Sequence, residues 1–75
     1  MMQRYDVALW LTPFSRWPEY VAYVQADAAS LAVVHLMRTH NLQSVSKAAV
    51  TASDGTCRRW WDMECPVGDA EHEHV

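Results

Sequence analysis

The sequence predicts an α+β fold: two layers in the order β-β-α-β-β, a four-stranded, mainly antiparallel sheet with one helix packed on one face. Three observations carry this. Residues 27–41 hold no Pro or Gly, and their apolar positions recur at helical spacing. Two alternating runs precede that stretch. After it, Asp54-Gly55 separates two extended runs, a hairpin signal because both residues tolerate positive φ.

The first strand is read from Arg4 to Leu11. Tyr5, Val7, Leu9 and Leu11 share one face, and Asp6, Ala8 and Trp10 the other. The segment 12–19 contains two Pro and reads as a loop, with Phe14 and Trp17 folding back onto the domain. The second strand is Tyr20 to Ala26. Its face of Ala22, Val24 and Ala26 leaves room for a helix to approach, and Val21, Tyr23 and Gln25 point the other way.

The helix is read over 27–41. Asp27 suits its positive end as a cap, and Asn41 a left-handed stop, with Leu42 packing back on the last turn. At about 100° per residue, Ala29, Ala32, Val33, Leu36 and His40 form a stripe, with Met37 at its edge. This is the expected core face. Leu31 and Val34 fall outside it beside His35, Arg38 and Thr39, so the helix has an apolar back that asks for cover.

A two-residue turn at Asp54-Gly55 sets Lys47 opposite Asp62, Ala48 opposite Trp61, Ala49 opposite Trp60 and Ala52 opposite Cys57. Opposite charges then meet, and each large Trp meets a small Ala. This register sends Ala48, Val50, Ala52, Cys57, Trp61 and Met63 to the helix side, with Arg59 at an edge there where its guanidinium reaches water. Lys47, Ala49, Thr51, Arg58, Trp60 and Asp62 take the other face. The expected domain is 1–66, followed by an acidic, His-bearing tail at 67–75 expected to be disordered.

Seventy-five residues make one domain with little core, because at this size only about 60% of the unfolded surface is buried. The chain is 51% hydrophobic, which excludes the disordered class. Its formal net charge of −3 argues against a general electrostatic grip on nucleic acid. No apolar run approaches the roughly 20 residues of a membrane span. Two cysteines make no disulfide framework, and no basic-then-apolar leader opens the sequence, so a cytoplasmic setting is expected.

Cys57, Cys65, His72 and His74 are the metal-like residues. Their separations of seven, six and one intervening residues miss the close pairs zinc favours, so a buried thiol and a loose tail are the expectation, with no metal and no cofactor. His35 and His40 lie about 140° apart around a helix and make no two-ligand face. The carboxylates fall mostly at caps, turns and the tail. No Gly-rich phosphate loop and no nucleophile–base pair can be placed, so no catalytic residue is assigned and a non-enzymatic role is expected.

The expected interaction surface is the open sheet face, with Trp10, Tyr23, Arg58 and Trp60, together with the helix back of Leu31, Val34 and Arg38. Apolar patches of this kind mark protein contacts. A homodimer or a larger protein partner is therefore the leading expectation, and a face-to-face sheet dimer would give a small domain a second core. The alternative is single-stranded nucleic acid stacked on Trp10, Tyr23 and Trp60, with Arg58 on phosphate.

Overall fold

A computed structural model describes residues 2–66. Strand β1 is Gln3–Trp10, β2 is Tyr20–Ala26, helix α1 is Ala29–Thr39, β3 is Ser44–Ala52 and β4 is Cys57–Glu64. The strands form one sheet in the order β2-β1-β3-β4, and all three pairings are antiparallel. The helix packs on β2, β3 and β1 from one side, as the two-layer expectation requires.

The core lies between them. Tyr5, Val7 and Leu9 of β1 face it, with Val24 and Ala26 of β2, Ala48 and Val50 of β3, and Ala32, Val33, Leu36 and Met37 of α1. No buried polar or charged side chain joins them among the described residues. Alternation sorts the residues of β1 and β2 into two faces, but β2 is apolar on both, and it is packing against α1 that decides which face is the core. The expected tail at 67–75 lies outside the described residues.

The helix begins later than its sequence suggests. Its N-cap is Ala28, in extended conformation, without a side-chain cap hydrogen bond, so Asp27 stands one residue before the cap. The other end is as expected. Asn41 takes φ 57°. Its amide donates to the Arg38 carbonyl at 3.1 Å, and the Leu42 amide donates to the Met37 carbonyl at 2.8 Å. This pair of bonds is the Schellman closure, which uses a left-handed residue to satisfy the last carbonyls. Leu42 then packs against the core. His40, expected in the core stripe, is the exposed C-cap residue instead, because the helix has already ended. Its ring lies 4.2 Å from that of Tyr20.

The hairpin differs by one residue from the expected register. Gly55 has φ 91° and Asp54 does not join it at positive φ. The Gly55 amide donates to the Ala52 carbonyl at 2.9 Å, and the Ala52 amide donates to the Thr56 carbonyl at 2.8 Å. Three residues, Ser53 to Gly55, therefore form the loop: a type I turn closed by a glycine bulge rather than a two-residue primed turn. Every pairing beyond it shifts. Ala48 faces Trp60, Lys47 faces Trp61, Ala49 faces Arg59, Val50 faces Arg58 and Thr51 faces Cys57. A one-residue slip exchanges the faces. Trp60 is on the helix side, half-buried against the core, and Trp61 is 65% exposed on the open side. Arg58 and Arg59 exchange likewise, and Cys57 is exposed rather than buried.

Farther along, the hairpin breaks its own alternation. Val45 and Ala48 are both in the core, three positions apart, and Trp60 and Met63 both pack against it at the same spacing. A regular strand would put such pairs on opposite faces. Asp62 supplies the break in β4 with φ 52°, and the ladder resumes at Val45 opposite Met63. Met63 thus reaches the expected face by a route the two-residue turn did not anticipate.

Candidate interaction surface

The open side of the sheet is built from the alternate residues of four strands. Register aligns them in rows: Trp10, Lys47 and Trp61; then Val21, Ala8, Ala49 and Arg59; then Tyr23, Asp6, Thr51 and Cys57. Alanines fill the middle of the second row, so the larger side chains stand around a low centre. Val21 is 59% and Tyr23 67% exposed.

Charge is placed over the rings. The Lys47 ammonium lies 4.2 Å from the Trp10 ring centroid and 5.4 Å from that of Trp61. The Arg4 guanidinium lies 4.5 Å from the Tyr23 ring. These are cation–π distances, and they flatten long side chains onto the aromatic surface. Beside them, Trp10, Lys47, Trp61, Thr12 and Pro13 border an open depression of about 300 Å³. The face carries Arg4, Lys47 and Arg59 against Asp6, with Asp62 at the rim of the depression, so it is weakly positive on a chain of net charge −3.

The loop 11–19 extends from the Trp10 end of β1. Phe14 is 88% and Trp17 77% exposed, contrary to the expectation that they fold back. Hydrogen bonding explains the difference. The Glu19 carboxylate accepts from the Leu11 amide at 3.0 Å and from the Ser15 hydroxyl at 2.6 Å. The Phe14 amide donates to the Thr12 hydroxyl at 3.2 Å, and the Ser15 amide to the Thr12 carbonyl at 3.2 Å. The loop is organised by its polar groups, and its aromatics are left outside. The Ser15 hydroxyl, then the Leu11 amide, hold the Glu19 carboxyl below the usual glutamate range. The Thr56 amide does the same for Asp54 in the hairpin loop.

The expected surface residues divide into three places. Trp10, half-buried, and Tyr23, exposed, share the open face. Arg58 and Trp60 lie on the helix side of edge strand β4, with the guanidinium 5.6 Å from the ring. Leu31, 52% exposed, half-buried Val34 and exposed Arg38 are on the helix. An Arg38 Nη2 donates to the Pro66 carbonyl at 3.4 Å. Trp61 and Arg59 stand on the open face where Trp60 and Arg58 were expected, and Phe14 and Trp17 add exposed aromatics beside it. For the first two the sequence carries no deciding signal, because Asp-Gly serves both two- and three-residue loops.

Among the described residues no cluster of three His, Cys, Asp or Glu could hold a metal ion. Cys57 and Cys65 are free thiols, and His72 and His74 lie outside the described residues. No described helix is long and apolar enough to cross a membrane. No protein family matches the chain, nor does any curated protein or solved structure.

Proposed function

We propose that this chain is a small, non-catalytic protein-interaction module or accessory subunit, able to self-associate, whose contact surface is the open sheet face with the aromatic loop beside it. The observation that carries this reading is the exposure of Trp61, Tyr23 and Val21 on one face, with Phe14 and Trp17 on the loop that leaves it. Exposed aromatics with a few basic groups are the composition of contact surfaces, where Trp, Tyr and Arg supply most of the binding energy. The free thiols of Cys57 and Cys65 suit a reducing, cytoplasmic setting. The test is a pull-down with the full chain as bait, comparing the parent with Trp61→Ser, alone and combined with Trp17→Ser. The expected result is weakened partner capture by a protein that keeps its fold. Unchanged capture in both variants would remove this surface from the account.

Single-stranded nucleic acid is the second reading, favoured by one observation: Arg4, Lys47 and Arg59 make the aromatic face weakly positive. Lys47 lies over the ring face of Trp10, where a base would stack, and this weighs toward the protein reading. Titration with an oligonucleotide at low salt separates them. Quenching of Trp emission that salt reverses steeply supports nucleic acid, and none at tens of micromolar, a concentration of roughly that order being enough for weak binding, ends it.

A further inference from the structure

The two free edges of the sheet are unlike each other. At one end stands β4, whose sequence runs Cys57-Arg-Arg-Trp-Trp-Asp-Met-Glu64, with four charged side chains and a positive φ at Asp62. Charges and local irregularity are the features that keep an edge strand from pairing with another chain. At the other end stands β2, Tyr20-Val-Ala-Tyr-Val-Gln-Ala26, with no charged residue, no Pro, no Gly and no positive φ in its seven residues. Glu19 and Asp27 stand immediately outside it and confine the uncharged edge to this segment. Its inner side is paired along its whole length with β1, which fixes it as a regular strand. Alternate amides and carbonyls of an edge strand point outward, and among the described residues none of the other strands lies beyond β2.

We infer that β2 is a docking edge for a second copy of this chain, joined antiparallel through β2 about a two-fold axis at Tyr23. The segment fits itself in that arrangement. On the helix side Tyr20 meets the partner's Ala26, and Ala22 meets the partner's Val24, so each pair joins a larger side chain to a smaller one. On the open side Val21 meets the partner's Gln25, and Tyr23 meets the partner's Tyr23. An isologous contact requires this self-complementarity. The β2 seam holds no charge, whereas an antiparallel β4 pair would carry Arg58, Arg59, Asp62 and Glu64 of both copies into one seam, across the positive-φ break at Asp62. The product is one eight-stranded sheet whose open faces run on continuously, with the partner's Tyr23 added to the surface described above. This inference specifies the self-association and stands apart from the open-face reading, since edge pairing uses backbone groups and leaves Trp61 exposed.

The experiment is light scattering of the full chain over a concentration series, with amide hydrogen exchange read residue by residue at each end of the series. The expected result is a dimer in which alternate amides of Tyr20–Ala26 slow by about tenfold or more relative to the monomer. The dimer should survive Trp61→Ser and be weakened about tenfold or more by Tyr23→Lys, which sets like charges at the axis on an exposed side chain. A monomer up to about 1 mM would overturn the inference. So would a dimer whose β2 amides exchange at the monomer rate, and if Trp61→Ser abolished that dimer the open-face reading would stand without edge pairing. A β2-protected dimer with no effect of Trp61→Ser on partner capture would do the reverse.

Discussion

Ala48 stands opposite Trp60 across the β3–β4 ladder, and this pairing decides which tryptophan meets the core. Trp60 packs against it beside the helix, while its neighbour Trp61 projects into water. The two should therefore answer differently to truncation. Trp60→Ala is expected to cost about 2 kcal/mol, below the range for a fully buried aromatic because Trp60 is only half-buried. Trp61→Ser should stay within about 0.5 kcal/mol of the parent. Urea unfolding of both variants checks this, and equal losses would contradict the assigned register.

Gly55 is required for its backbone alone. A Cβ there would meet nothing within 4 Å, yet φ is 91°. Gly55→Ala should then cost about 1 kcal/mol through conformation, with no packing defect. Gly55→Asn should recover part of that loss, since Asn tolerates positive φ better than Ala. Thermal midpoints of the pair give the answer. A neutral Gly55→Ala would mean that the loop does not close through a left-handed residue.

Asn41 ends the helix at φ 57°. Asn41→Gly should leave stability unchanged or slightly improved, and Asn41→Val should lower it by about 1–2 kcal/mol, the cost of a branched residue in left-handed backbone. Denaturant midpoints test the order. If Val were tolerated as well as Gly, the Schellman closure at Met37 and Arg38 would carry little of the helix end.

The Glu19 carboxylate orders the loop while it is ionised. Its acidity is raised by the Ser15 hydroxyl first and the Leu11 amide second, so its folded-state pKa lies below the unfolded one. The contribution is then present above the unfolded pKa and lost as pH falls through the folded value. Ser15→Ala should move the Glu19 titration upward, toward the ordinary glutamate range. Carbon-detected NMR of the side-chain carboxyl reads this directly. An unmoved midpoint would show that the Ser15 hydrogen bond does not matter in solution.

Most of the fold was legible because two periodicities dominate it. Alternation grouped Val7 with Tyr5 and Leu9 and Val24 with Ala22 and Ala26, without deciding which face of the doubly apolar β2 the helix covers, and helical spacing identified Ala32, Val33 and Leu36. The interaction surface was legible where it depended on those strands, at Trp10 and Tyr23. It was misread on β4 because Asp-Gly serves both two- and three-residue loops, and the Trp–Ala pairing that favoured the shorter loop recurs after a one-residue slip, with Ala48 accepting Trp60 in place of Trp61. Phe14 and Trp17 were misread for another reason. Hydropathy alone sends aromatics inward, whereas the bonds among Thr12, Ser15 and Glu19 fix the backbone that holds them out.

That polar knot has a consequence for affinity. A loop that must freeze on contact loses roughly 1–2 kcal/mol of backbone freedom per residue, and this is subtracted from whatever the contact provides. Between Leu11 and Glu19 much of that ordering is already present in the isolated chain, set by the Thr12, Ser15 and Glu19 side chains. Phe14 and Trp17 are in effect preorganised, so a surface that receives them gains their burial with little of the usual entropic deduction. Breaking the knot should weaken such a contact through its entropy and its dissociation rate, even where both aromatic side chains are left intact.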